Sequence, residues 1–220
     1  MKLVNTSLNK LIQDKNLTFL IGASCSVNTP SCLPTGKEMM EDIVEFSCYE
    51  RFKEDLKNLI DKNGLRFEQL VEIFTEFIDK NLHCIDFFSE CKYPNSIHLL
   101  LACMIEKGNF VITTNFDSLI EFALIKIGIS RDLILPVITK DEFQLYEDPY
   151  ENFKKSKFSI YKIHGSPLDI IKNTSKTELR QSLVIITKSF VRNKKGLNIF
   201  ELEPYKQKAI ENLLKNNFSQ

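Results

Sequence analysis

The 220-residue chain carries no net charge. Its 29 basic residues balance 29 acidic ones, so no overall field recruits a polyanion and direct nucleic-acid binding is not expected. No apolar run approaches the roughly 20 residues that span a bilayer. The amino terminus lacks the basic, apolar and small-residue succession of a secretory signal, so a cytoplasmic location without membrane association is expected. The cysteines at 25, 32, 48, 84, 91 and 103 form no C-x-x-C pair, which excludes a zinc ribbon and leaves no metal to expect. They read as reduced, mostly buried thiols, with Cys25 a small space-filler in a loop. G-x-G-x-x-G, the Walker lysine, internal repeats and low-complexity tracts are all missing.

With 43% hydrophobic residues, the chain can bury a core as one domain over residues 1–220. Three short apolar runs each end in small or polar residues: Leu17 to Ile21 before Gly22-Ala23-Ser24-Cys25-Ser26, Asn109 to Ile112 before Thr113-Thr114-Asn115-Phe116-Asp117, and Phe158 to Ile163 before His164-Gly165-Ser166. Each reads as a buried strand that delivers its carboxyl end to a crevice, where open α/β sheets bind ligands, and together they predict one composite site.

Between the first two strands, residues from about 35 to 107 carry apolar side chains at helical spacing, as in Leu70, Ile73, Phe74 and Phe77. Asn63-Gly64 and Tyr93-Pro94-Asn95 divide this block, which is too long for one crossover helix and predicts a helical layer beside the sheet. Its aromatics, Phe67, Phe74, Phe77, Phe87 and Phe88, are expected in the core. Helices are predicted over Leu3 to Gln13 and after Asp117. Further strands are predicted at Leu133 to Val137 and Leu183 to Thr187, and surface loops at 139–157 and 171–180.

The small residues of Gly22 to Ser26 let backbone N–H groups and a hydroxyl approach a pyrophosphate, helped by the positive end of a following helix, though small residues also pack ordinary tight turns. Asn115 can orient a water or ribose hydroxyl, or simply form a turn. Asp117 can accept hydrogen bonds from a ligand, cap the next helix, or both. Of the three histidines, His164 is best placed as a base. His83 and His98 fall on predicted helices and are expected to be structural.

In their order, these three segments resemble the sirtuin-like family, particularly the NAD-hydrolysing branch of bacterial anti-phage defence systems, whose members carry G-A-G-x-S, T-T-N-[YF]-D and [KR]-x-H-G after successive strands. The likeness runs from about Leu17 to Glu211 and includes Pro34-Thr35-Gly36. It implies an α/β fold, a Rossmann-like, mostly parallel sheet flanked by helices, with the helical block inserted between the first two motif strands. It also implies NAD as substrate and no metal. Gly22, Ala23, Ser24, Ser26, Thr114, Asp117 and Gly165 would bind NAD, with Asn115 and His164 catalytic.

Hydrolysis of NAD is the leading expectation. The absence of paired cysteines removes the zinc module typical of sirtuin deacylases, and the T-T-N-F-D wording matches the defence branch. A deacylase, or a non-catalytic nucleotide-binding module, are the alternatives. Ser24 departs from the family's second loop glycine. Related domains continue past the helix at Tyr205 to Leu214 into a strand followed by G-[FY]-S-x-x-D, so the last family strand is expected to be missing or supplied by a partner. A homo-oligomer and a sensor acting in trans are expected.

Overall fold

The computed structural model describes residues 17–183, apart from 63, 66 and 173, and residues 203–215. The predicted helix over Leu3 to Gln13, Asn63, and the predicted strand beyond Leu183 lie outside the described residues.

Strand β1 (Thr18–Ile21) is followed by a 3-10 turn (Ala23–Ser26) and then by the helical block: α1 (Gly36–Ser47), α2 (Glu50–Asp61), α3 (Phe67–Phe77), a 3-10 turn (His83–Asp86), α4 (Phe87–Glu90) and α5 (Ser96–Glu106). Next come β2 (Phe110–Thr113), α6 (Leu119–Lys126), β3 (Ile134–Val137), α7 (Lys140–Leu145), α8 (Pro149–Lys154), β4 (Phe158–Lys162), α9 (Lys176–Ser182) and α10 (Pro204–Lys215). The four described strands form one all-parallel sheet in the order β1-β2-β4-β3.

This is the expected Rossmann-like α/β arrangement, and residue chemistry accounts for the strand positions. Central β2 is buried throughout, as a parallel strand covered on both faces must be. Pro136 has no N–H to give a ladder, and it sits in β3, at the edge of the sheet among the described residues, where such a residue is tolerated. Alternation along β2 sends Val111 to one face with Leu101 and Ile105 of α5 and Ile120 and Leu124 of α6. Phe110 and Ile112 face the other side, with Phe143 of α7 and Ala209 and Leu213 of α10. The sheet is thus sandwiched between helices.

The helical layer has its own small core of Met40, Ile43, Val44, Ile60 and Leu70. A second cluster, including Leu33, Leu82, Ile85, Phe88, Phe116 and Leu183, joins the layer to the sheet. The aromatic expectation needs correction: Phe88 is buried and Phe67 and Phe74 are half-buried, but Phe77 and Phe87 are 74% and 53% exposed. Their helices are amphipathic with one covered face, and these rings lie on the other.

The segments expected as loops also contain short helices, α7, α8 and α9. Thr139 with Glu142 and Ser175 with Glu178 form capping boxes, and Asp148 caps α8 ahead of Pro149, so polar residues start these helices rather than interrupt structure. Among the described residues, no helix is long and apolar enough to cross a membrane.

Candidate functional site

Because the strands are parallel and β1, β2 and β4 are neighbours, their three motif loops emerge side by side at one rim. A cavity of about 190 Å³ opens there, lined by Ala23, Ser26, Thr114, Asn115, Asp117 and His164 on the sheet side. Leu33, Pro34, Gly36, Phe67, Phe88 and Phe116 complete it. Two aromatics expected only in the core, Phe67 and Phe88, therefore form its wall.

After β1 the chain turns tightly, with Cys25 N–H donating to the Gly22 carbonyl at 3.1 Å. Only the four-residue 3-10 turn follows, and the next α-helix starts at Gly36, so the helix dipole expected directly behind this loop is not there. Instead the turn presents Ser26, whose hydroxyl donates to Asp117 Oδ2 at 2.9 Å.

His98, expected to be structural, is a member of this cluster. Asn95 caps α5, and its N–H donates to His98 Nδ1 at 3.2 Å, which leaves the ring proton on Nε2. Nε2–H then points to Ser26 Oγ at 3.2 Å, with Cys25 Sγ at 3.6 Å. Burial holds His98 below its ordinary pKa, and the nearby Asp117 charge works in the opposite direction. The Asn95-x-x-His98 capping pattern was the one signal for this residue in the sequence, and it announces a helix start rather than a site.

Asn115 closes the network. Its N–H is tied back to Thr113 Oγ1 at 3.0 Å, which sets the bend after β2. Its Nδ2 faces three acceptors: Ser26 Oγ at 3.2 Å, Cys25 Sγ at 3.3 Å and Asp117 Oδ2 at 3.4 Å. These fix the amide orientation and commit its protons. Oδ1 is left buried with no hydrogen-bond partner among the described residues, in a side chain that lines the cavity. A buried acceptor without a donor is costly, so this atom is ready for one from a ligand. Asp117 has two roles, because its Oδ1 accepts from Leu119 N–H at 3.1 Å and so helps start α6.

Burial raises the pKa of the Cys25 thiol, an effect the Ser26 and Asn115 hydrogen bonds oppose and Asp117 reinforces. It is a neutral packing and acceptor group, as its loop position suggested.

The third motif supports the second. Lys162, fully buried, donates to the Asp117 carbonyl and pairs with Glu121 Oε1 at 3.3 Å. Ser166 Oγ lies 3.0 Å from the Phe116 carbonyl. His164, half-buried, lines the cavity with its ring centroid 6.1 Å from that of Phe116.

Of the residues assigned to NAD from sequence, Ala23, Ser26, Thr114 and Asp117 line the cavity, while Gly22, Ser24 and Gly165 do not. Ser24 points outward and is exposed. Gly165 has φ +80°, and a Cβ there would lie 2.4 Å from the Ser182 carbonyl oxygen, so close backbone packing accounts for this glycine. Among the described residues no group of three or more His, Cys, Asp or Glu side chains could hold a metal ion.

In a comparison with known families, residues 109–219 fit the family model of the SIR2-like domain, a stretch that holds the second and third motif loops but not the first. No curated protein matches the chain.

Proposed function

The chain belongs to the SIR2-like domain family, and from that membership we propose that it is an NAD glycohydrolase, an effector of bacterial anti-phage defence that cleaves the nicotinamide–ribose bond. The observation that carries this reading is the buried, unpartnered Asn115 Oδ1 beside an aromatic-walled cavity. Nicotinamide in NAD+ is a flat pyridinium cation. Phe67, Phe88 and Phe116 offer ring faces and edges to it, Asp117 offers negative charge, and none of the described lining residues is Lys or Arg.

In the proposed reaction the C1′–N bond breaks, nicotinamide leaves with the bonding electrons, and water adds to C1′. NAD+ and water give ADP-ribose, nicotinamide and a proton. Asn115 Oδ1 accepts a hydrogen bond from the attacking water or a ribose hydroxyl. The Asp117 carboxylate stabilises the oxocarbenium-like charge, and His164 takes a proton from water or holds a ribose hydroxyl. Backbone N–H groups of the Gly22–Ser26 turn would meet the pyrophosphate. The apolar wall limits the water that reaches the reacting centre.

The test is nicotinamide release from NAD alone by the purified chain. Asn115→Ala and His164→Ala are each expected to lower turnover by about 100-fold or more. Release insensitive to both substitutions would overturn the assignment. NAD bound but not consumed would identify a binding module, and release only with an acyl-lysine peptide would identify a deacylase.

A further inference from the structure

Helix α9 contacts the segments next to both walls of the cavity without lining it. On one side, Arg180 reaches the helical layer: Nη1 donates to the Asn81 carbonyl at 2.9 Å and the Leu82 carbonyl at 2.8 Å, and Nη2 meets both Asp86 carboxylate oxygens, Oδ1 at 2.6 Å. Three residues on, Leu183 packs in the cluster that holds Leu82, Ile85 and Phe88. On the other side, the Ser182 carbonyl presses against Gly165, the residue after His164.

The turn that Arg180 grips is not self-sufficient. Leu82 is buried, yet its backbone is left-handed at φ 57° and ψ 40°, a conformation a leucine adopts only when its surroundings impose it. Asp79 ties one end of this turn, accepting from Cys84 N–H at 2.8 Å and contacting His83 Nδ1 at 3.1 Å. Arg180 ties the other, with Nη1 bridging the two carbonyls while Nη2 holds Asp86, a combination that a single ammonium could not make at once. The ion pair with Asp86 is partly exposed and is the lesser part of the grip. Immediately after the turn, α4 carries Phe88 into the cavity wall.

We propose that Arg180 is a positioning residue and α9 a strut, so that the placement of Phe88 in the helical layer and of His164 on the sheet rim are coupled through one guanidinium. Release of Arg180 frees the Asn81–Asp86 turn and removes the support behind Gly165 at the same time. The kinetic consequence rests on the NAD reading, but the coupling does not.

The experiment is hydrogen exchange of the full chain as wild type, Arg180→Ala, Arg180→Lys and Asp86→Asn, with Lys57→Ala as a control that breaks a pair with Glu45 elsewhere in the layer. Arg180→Ala is expected to speed exchange about tenfold or more in both 79–90 and 164–166. Lysine, whose one ammonium can meet the carbonyls but not Asp86 as well, should restore protection only in part, Asp86→Asn should produce a smaller change than Arg180→Ala in the same two segments, and Lys57→Ala should change neither. Faster exchange in 79–90 alone, or in neither segment, would overturn the strut. Should Arg180→Ala not fold, Arg180→Lys and Asp86→Asn decide by the same pattern. If NAD is hydrolysed, Arg180→Ala should both raise KM, through Phe88, and lower kcat, through His164, each about tenfold. If it is not, the exchange pattern still decides the coupling.

Discussion

At the sheet rim, the polar side chains facing the cavity are fixed by partners from other loops: Ser26 by Asp117, Asn115 by Ser26 and Cys25, and the Asp117 backbone by Lys162. Across the cavity, the helical layer contributes Phe67 and Phe88, held by packing, and leaves Phe46, Phe77 and Phe87 exposed. The rim therefore depends on hydrogen bonds whose loss strands a buried group. The layer depends on apolar contacts, secured at points such as Arg180. Fixed polar groups facing an apolar wall are what the proposed cleavage would need, an oriented acceptor beside a surface that limits water.

The largest effect expected from breaking this contrast is at Lys162. Lys162→Met leaves Glu121 buried without its cation, a loss of about 3–5 kcal/mol in chemical denaturation. Adding Glu121→Leu should recover part of it but not all, because the Asp117 carbonyl still lacks its donor. Burial already raises the Glu121 pKa against the pull of Lys162, which shows what removal of the lysine would expose.

Next come the two loop glycines. Gly165→Ala meets both positive φ and the Ser182 backbone and should cost about 2–4 kcal/mol. Gly22→Ala sits in extended backbone, with Thr114 Oγ1 at an ordinary 3.6 Å, and should cost under about 1 kcal/mol, both variants being measured by chemical denaturation.

A smaller effect is expected from pH. With its folded pKa depressed below the ordinary 6.5, His98 binds fewer protons folded than unfolded just below that value. Its contribution to stability is full above about pH 6.5 and falls as pH drops toward the folded pKa. Wild type should therefore lose more stability between pH 7.5 and 5.5 than His98→Asn, measured by denaturant titration at both values. The smallest effect is in the layer: Phe77→Ser, at a 74% exposed ring, should stay within about 0.5 kcal/mol of wild type.

Much of the sheet was legible because a parallel strand is a short apolar run with an abrupt end, and β1, β2 and β4 all have that form, although β1, expected to be buried, is only half-buried at the edge of the described sheet and leaves Leu20 72% exposed. The short helices α7 and α9 read as loops because elements of six and seven mostly polar residues show little periodicity, although their capping boxes are present in the sequence. Phe77 and Phe87 are exposed against expectation because hydrophobicity alone does not reveal which face of a helix is covered.

The sequence by itself determined the strand-end motifs, the apolar faces that dictate the layers, and Asn115, Asp117 and His164 as candidates. These are local properties, set by residue type and spacing of at most a few positions. Tertiary structure alone decided that His98, 72 positions from Ser26, completes the polar network, that Gly165 serves Ser182, and that Arg180 reaches back 98 positions to the Leu82 carbonyl. The physical reason lies in the strand order: only when β4 inserts between β2 and β3 do the three loops share one rim, and only then do side chains remote in sequence acquire the donors and acceptors that define them.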